Sequence, residues 1–372
     1  MTVDGARLDQ SEYDELRQVL RAFFDECQPS EPPTEHTPAL DRAQWLRMAG
    51  ELGVQGLLIP EQWGGAGATL AEVGLVFEEA GRALHPFPLL STIGLATPAL
   101  LASGNEVAMK RYLPSIADGS CVATLAFVEP VGRWDPTSYD TTAVAEADGW
   151  QVNGVKDYVL DGTEADLMLV VADSAEGRVL LAVDPRQPGV QVIDRPALDR
   201  SRSLARVELD AVPAVLVAAP EEAPRSQQHA VDTALVCLAA EQVGGGERCL
   251  EMSVGHARER IQFGRPIGSF QAIKHKCADM LVELESGRAL QRAALEQVLH
   301  HSPDRHIATA MAKSFCSEMF HHLAAENIQI HGAMGFSWEF EAHRYYKRAT
   351  AAAVLFGSPL DHRLRLAELL DY

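Results

Sequence analysis

The sequence predicts an α+β protein with an N-terminal helical domain, a middle antiparallel β-barrel-like domain and a C-terminal four-helix bundle. Three observations carry this. Apolar residues recur at helical spacing through the first block; the texture changes near Cys121 to short runs rich in Val, Thr, Tyr and Leu; and from about Gln227 the helical period returns in much longer stretches. The order helices, strands, helices argues for segregated layers and against an alternating βαβ sheet. Domain boundaries are expected at 1–118, 119–220 and 221–372.

The elements follow in order. From Leu8 to about Asp25, the residues Tyr13, Leu16, Leu20, Phe23 and Phe24 keep the i, i+3, i+4 spacing of an amphipathic helix. The Pro-rich run QPSEPPTEHTP ends it. Further helical patterns cover about 40–52, 69–83, 91–102 and 105–116, with the Gly/Pro-rich loop IPEQWGGAG after the first of them. The middle block reads as strands at CVATLAF, TTAVAEA, WQVNGVK, DLMLVVA, RVLLAVD, VQVID and ARVELD. Asp148-Gly149 is a hairpin signal, since both residues tolerate the positive φ of a tight turn, and an antiparallel meander is the natural expectation. Long helices are expected at about 227–259, 269–299 and 305–331, with a shorter one near 360–370, each with a broad apolar face suited to a bundle.

Bulk properties exclude several classes of function. With 372 residues, 47% of them hydrophobic, the chain can bury a large core. Its formal net charge of -20 opposes a polyphosphate backbone, so nucleic acid is not an expected partner. The N-terminal MTVDGARLDQSEYDE is acidic and polar, and no apolar run approaches the ~20 residues of a membrane span. A soluble, cytoplasmic protein without membrane insertion is expected. Cys27, Cys121, Cys237, Cys249, Cys277 and Cys316 stand far apart, which suggests neither a disulfide framework nor a metal site.

Chemistry concentrates in three stretches. Arg258 to Gly268 reads RERIQFGRPIG and is followed by SFQAIKH; it breaks one long helix and starts another, offering guanidinium groups, an exposed Phe and the free N–H groups of a new helix, all suited to an anion. A solvated helix corner is the plainer explanation. Gln329-Ile330-His331-Gly332-Ala333-Met334-Gly335 ends the next long helix; its glycines allow close approach to a flat or charged ligand, although a helix C-cap alone would explain Gly332. Val354-Leu355-Phe356-Gly357-Ser358-Pro359 opens the last helix.

Taken together, R-x-x-F-G, Q-A-I-K-H, Q-x-x-G-x-x-G and F-G-S-P, in this order and within the helix-strand-helix plan, resemble the acyl-CoA dehydrogenase family over nearly the whole chain. The resemblance implies FAD as cofactor, an acyl-CoA thioester as substrate, α,β-desaturation as reaction and an electron-transfer flavoprotein as acceptor. A desolvated Glu removes the weakly acidic α proton while the β hydride passes to the flavin. It also implies that Arg260 faces the pyrophosphate, that Phe263 packs near the adenine, and that Gln329 and Gly332 line the same end of an FAD seated in a neighbouring subunit.

Two departures from the family pattern stand out. The Glu of the family's Tyr-Glu-Gly segment is replaced here by Phe356, and the alternative Glu position, counted back from Phe263 without a gap, falls on Ala234. Asp232 is the weak remaining candidate, and an acid near a helix start is more often a cap. At the flavin ring, the family's Thr-Glu-Pro-Gly becomes Val128-Glu129-Pro130-Val131, and its Lys-x-Trp-Ile-Thr-Asn-Gly becomes Lys156-Asp157-Tyr158-Val159-Leu160-Asp161-Gly162. Hydrogen-bonding residues have thus become Val128 and Leu160. This resembles the Glu-less subunit of actinobacterial heteromeric α2β2 acyl-CoA dehydrogenases that shorten sterol side chains, which implies a related partner chain carrying Glu. A self-sufficient homo-oligomer using Asp232 and a non-catalytic acyl-CoA binding protein are the alternatives.

Other features have structural expectations. Gly244-Gly245-Gly246 inside a helix suggests close helix packing, and His300-His301 and His321-His322, on diverging helix faces, suggest surface histidines and no metal. Lys274-His275-Lys276 suggests a solvated face, and Trp63 with the loop Gly64-Gly65-Ala66-Gly67 is expected to shape the domain junction.

Overall fold

The computed structural model describes residues 9–27, 40–130, 132, 134, 138–147 and 149–371. Leu8, the Pro-rich run at 28–38, Val131 and Asp148 lie outside the described residues. The first helices are α1 (Gln10–Glu26), α2 (Arg42–Leu52) and α3 (Leu70–Ala83); a π-helical stretch, Leu90–Ala96, then runs into α4 (Thr97–Ala102), and α5 (Glu106–Ala117) follows. The strands are β1 (Ala123–Ala126), β2 (Thr142–Glu146), β3 (Gly149–Leu160), β4 (Leu167–Ser174), β5 (Gly177–Val183), β6 (Val190–Asp194) and β7 (Leu204–Ala218). After them come α6 (Ala223–Glu259), the short β8 (Ile261–Gln262) and β9 (Arg265–Pro266), α7 (Gln271–Leu299), α8 (Arg305–His331), α9 (Ala342–Val354) and α10 (Pro359–Leu369).

The helix-strand-helix plan is as expected, and so is the barrel-like middle. β4 pairs β5, β5 pairs β7, β7 pairs β3, β3 pairs β2, and β2 returns to β4 through Thr142 and Asp173, closing a ring around Val152, Met168, Val170, Leu181, Val207 and Val212. The meander is corrected. β1 runs parallel to β4, Ala123 opposite Leu167, and β7 pairs with β3, β5 and β6. Turn signals report only on neighbours in sequence, whereas these pairings are set by burying alternate faces of distant strands. β2 and β3 pair antiparallel as expected, but Glu146 lies opposite Gly149, so Gly149 opens the strand and is not a central residue of the turn.

Helix α9 was not announced by apolar periodicity. Its buried face is built from Ala342, His343, Tyr345, Arg348, Ala349 and Ala352, so half of it consists of polar or aromatic side chains, and Arg348 is neutralised by Glu241 at 3.0 Å.

The described residues cluster into two compact units, one of 9, 40–73 and 86–234, the other of 10–27, 74–85 and 235–371. In the first, Asp41 caps α2, and Arg42 reaches Asp166 at 2.6 Å and the Glu164 carbonyl at 2.5 Å, tying that helix to the β3–β4 loop. Gly65 closes the IPEQWGGAG loop onto its own start, since a Cβ there would lie 2.0 Å from the Ile59 carbonyl. In the second unit, Arg17 and Arg21 hold the buried Glu79 at 2.7 and 2.9 Å, and Arg17 and Arg288 pair with Glu78. The triple glycine of α6 has the packing role expected of it. A Cβ at Gly244 would sit 1.8 Å from the Glu78 carbonyl, one at Gly81 would sit 2.1 Å from the Glu241 carbonyl, and one at Gly245 would meet the Phe320 ring at 2.5 Å. No described helix is long and apolar enough to cross a membrane.

Candidate functional site

The corner after α6 is a tight hairpin. β8 and β9 pair Ile261 with Pro266 and Gln262 with Arg265, leaving Phe263 (φ 53°) and Gly264 (φ 77°) as two left-handed central residues. Gly accepts that conformation freely; Phe does so at a cost of about 1–2 kcal/mol. The strained residue is also 91% exposed, with its ring 6.1 Å from that of Phe270, over which the Arg265 guanidinium sits at 4.2 Å. Phe270 precedes α7 and makes no side-chain cap, so no side chain at that position occupies the first N–H groups of the helix. Arg258 and Arg260 are exposed beside the same turn.

The end of α8 supplies the second segment. Gln329 is exposed, and Gly332 closes the helix at φ 63°, ψ -138°, a conformation that favours glycine, with open space where a Cβ would project. The two glycines of the motif differ in role. Gly335 is buried, and a Cβ there would lie 2.8 Å from the Ile328 carbonyl, so it serves folding of the chain back onto α8, not ligand approach. The helix ends carrying the two segments are joined by rings the motif reading left without a role. His256 of α6 stacks on His331 of α8 at 4.2 Å, and His331 stacks in turn on Phe340 at 4.4 Å. Lys276 of α7 pairs with Glu326 of α8 on the same stretch of the unit. Phe336 and Trp338, 74% and 69% exposed, extend the apolar surface beyond Gly335.

The turn expected to correspond to the family's Glu position holds a buried Phe356 at φ 58°, followed by Gly357 at φ 102°. His362 Nε2 donates to the Phe356 carbonyl at 2.9 Å, which fixes its neutral tautomer, and burial pushes its pKa down to about 4. Ser358 and Asp361 cap α10 reciprocally. On the other side, the wholly buried Lys313 donates to the Ala352 and Ala353 carbonyls at 3.0 Å each and to Ser317 Oγ at 2.9 Å. Burial pulls its pKa down to about 7.

Ala234 is wholly buried in α6. Asp232 is buried too, accepts from Gln228 Nε2 at 2.9 Å, and lies nine residues beyond the first residue of that helix. The capping role expected of Asp232 is therefore corrected: α6 starts earlier than the periodicity suggested.

The segments beginning at Val128 and Lys156, expected to line a flavin ring, do meet. Asp157 N donates to the Val128 carbonyl at 2.9 Å, and Thr124 Oγ1 to the Leu160 carbonyl at 2.7 Å. Val128 and Leu160 are buried and offer no polar side-chain atom. Around them the scaffold is intact: Glu129 accepts from Lys156 at 2.8 Å, from Thr141 Oγ1 at 2.6 Å and from Asp140 N at 2.8 Å, while Lys156 lies 4.1 Å over the Tyr139 ring. Burial pulls the Lys156 pKa down to about 8 against the pull of Glu129. Tyr158, expected at the family's Trp position, is exposed at φ 52°. Among the described residues no cluster of His, Cys, Asp and Glu could hold a metal; His300 and His322 are exposed and lie near Glu296 and Glu283, respectively.

Three family models match the chain: the acyl-CoA dehydrogenase N-terminal domain over residues 10–120, the middle domain over 124–212 and the C-terminal domain over 225–370. Acyl-CoA dehydrogenase IpdE2 of Mycobacterium tuberculosis is 36% identical over 327 residues, spanning 88% of this chain and 86% of that protein. A variant of the Tcur3481-Tcur3483 steroid ACAD superposes with a TM-score of 0.86 at 29% identity, covering 97% of this chain and 98% of that one. The ChsE4-ChsE5 complex from Mycobacterium tuberculosis shares the fold, with a TM-score of 0.87 at 24% identity over 98% of each chain. The chain belongs to the acyl-CoA dehydrogenase family, whose members are FAD-dependent flavoproteins.

Proposed function

We propose that this chain is the Glu-less subunit of a heteromeric acyl-CoA dehydrogenase, completing the FAD site of a related partner that carries the catalytic Glu. The observation that carries the reading is a contrast between two sets of residues, one expected to serve an FAD seated in a neighbouring subunit and the other expected to serve a flavin ring of this chain's own. At the adenosine–pyrophosphate end, the residues fit: Arg260 offers charge, Phe263 an exposed ring on a strained turn, Gln329 an exposed amide, and Gly332 open space for close approach. At the ring end, they do not: Val128 and Leu160 present no donor, and the turn that should hold the base presents Phe356. FAD, when bound, supplies the hydride acceptor. This chain's share is to hold its distal end, while proton removal needs a carboxylate from elsewhere.

The likeness to a steroid ACAD supports a sterol-derived acyl-CoA as substrate, and the family resemblance implies an electron-transfer flavoprotein as acceptor. We retain 1–118, 119–220 and 221–372 as the proposed domain division and the cytoplasm as the proposed location. A second reading, a homo-oligomer using Asp232, draws on that carboxylate's burial two residues from Ala234. Flavin content separates the two. The chain expressed alone should purify without flavin, and together with a Glu-bearing relative it should carry about one FAD for each pair of chains. A yellow lone chain that oxidises acyl-CoA, and loses that activity on Asp232→Asn, would establish the second reading.

A further inference from the structure

We propose that His256 and His331 form a stacked imidazole pair that positions the Arg260 corner against the Gln329–Gly332 segment, and so sets how tightly this chain grips the distal end of FAD. The inference rests on the cofactor reading above and extends it to two residues no motif assigns.

The geometry is specific. His256 lies in the last turn of α6, and its carbonyl accepts from Arg260 N at 2.9 Å, so the ring is anchored one turn from the guanidinium. His331 is the final residue of α8, next to Gly332 and two residues after Gln329. The rings lie 4.2 Å apart, tilted by 31°, and Phe340 covers the pair through His331 at 4.4 Å. A backbone carbonyl can only accept, so the 2.8 Å contact between His331 Nδ1 and the Asn327 carbonyl makes Nδ1 the protonated nitrogen and leaves Nε2 as the basic one.

A neutral pair can stack; two imidazolium rings at this distance repel. The helix ends favour positive charge, but the surroundings oppose it. His256 faces His331 from α8 and Arg260 from its own side, with Glu259 alone favouring the cation; burial is the largest effect and holds its pKa below the usual histidine value. His331 is likewise held low by burial, against its bond to Asn327; the ring packed on it from the following segment, Phe340, is uncharged. The sign follows: neutral rings belong to the assembled state, protonation opposes it, and the grip weakens as pH falls through the range below about 6.5.

The test follows FAD release from the flavin-loaded assembly by flavin fluorescence between about pH 8 and 5. Wild type should release FAD progressively toward the acid end. His256→Ala should weaken retention about tenfold at neutral pH, the equivalent of ~1.4 kcal/mol. His256→Phe, which keeps a ring but cannot take a proton, should restore retention and flatten the acid release. An unchanged pH profile in His256→Phe overturns the inference, and that variant decides the matter even where His256→Ala fails to fold. Arg260→Ala separates the levels: retained FAD there sinks the cofactor reading itself, whereas loss there together with wild-type behaviour in both His256 variants sinks only the role of the stack.

Discussion

Lys313 is the residue whose role the sequence conceals most completely. It reads as one more cation on a long helix, yet it is buried, and its three bonds go to a hydroxyl and to two carbonyls at the end of α9. Two of its three partners are backbone carbonyls of another helix, so spacing along the chain could not reveal its role. Lys313→Met should cost about 1–3 kcal/mol in urea unfolding, because helix-end carbonyls lose their donor inside the core. The pH dependence has a definite sign: with a folded pKa of about 7 against 10.5, the unfolded chain binds more protons in between. Wild type should therefore gain stability relative to Lys313→Met as pH rises from 7 toward 10.5. Phe263 is the opposite case, since its motif was legible and only its strain was not. Phe263→Gly should raise unfolding stability by about 0.5 kcal/mol by relieving the left-handed backbone. It should also lower the flavin content of the assembly, which absorbance at the flavin band reads directly.

Among the elements, α6 was legible in purpose and in where it ends, although it starts at Ala223, earlier than the periodicity suggested. Three glycines inside a helix lower its intrinsic stability by about 1 kcal/mol each, so something must compensate, and close packing does: Gly244 lies against the α3 backbone, Gly245 against the Phe320 ring and Gly246 against Met319. A pair of substitutions in this one helix should move in opposite directions. Gly244→Ala should destabilise by about 3 kcal/mol, because the new methyl has nowhere to go beside the Glu78 carbonyl. Gly255→Ala, which meets nothing within 4 Å, should stabilise by about 0.5–1 kcal/mol. Equal effects in denaturant titrations would refute the packing argument. What stayed hidden at this scale was non-local. The parallel pairing of β1 with β4 leaves no turn signature, and α9 escapes a hydrophobicity pattern because Arg348 and His343 sit on its buried face.

For the whole molecule, the order of blocks sufficed to predict the architecture, because each change in residue texture tracks a change in which surface is buried. The candidate site was legible where exposed, conformationally demanding residues define it: Phe263, Gly264 and Gly332. It was illegible where packing defines it, as with the His256–His331 stack and the clamp around Phe356. A formal charge of -20 makes attraction of an anionic cofactor a local matter for residues such as Arg258, Arg260 and Arg265. The exposed rings of Phe263, Phe336 and Trp338 have a further implication on the two-chain reading. Surplus copies, having no mate to cover that greasy surface, would be prone to clumping and to degradation. Balanced synthesis of both gene products would then matter to the cell as much as catalysis does, and a dosage mismatch would show first as lost solubility.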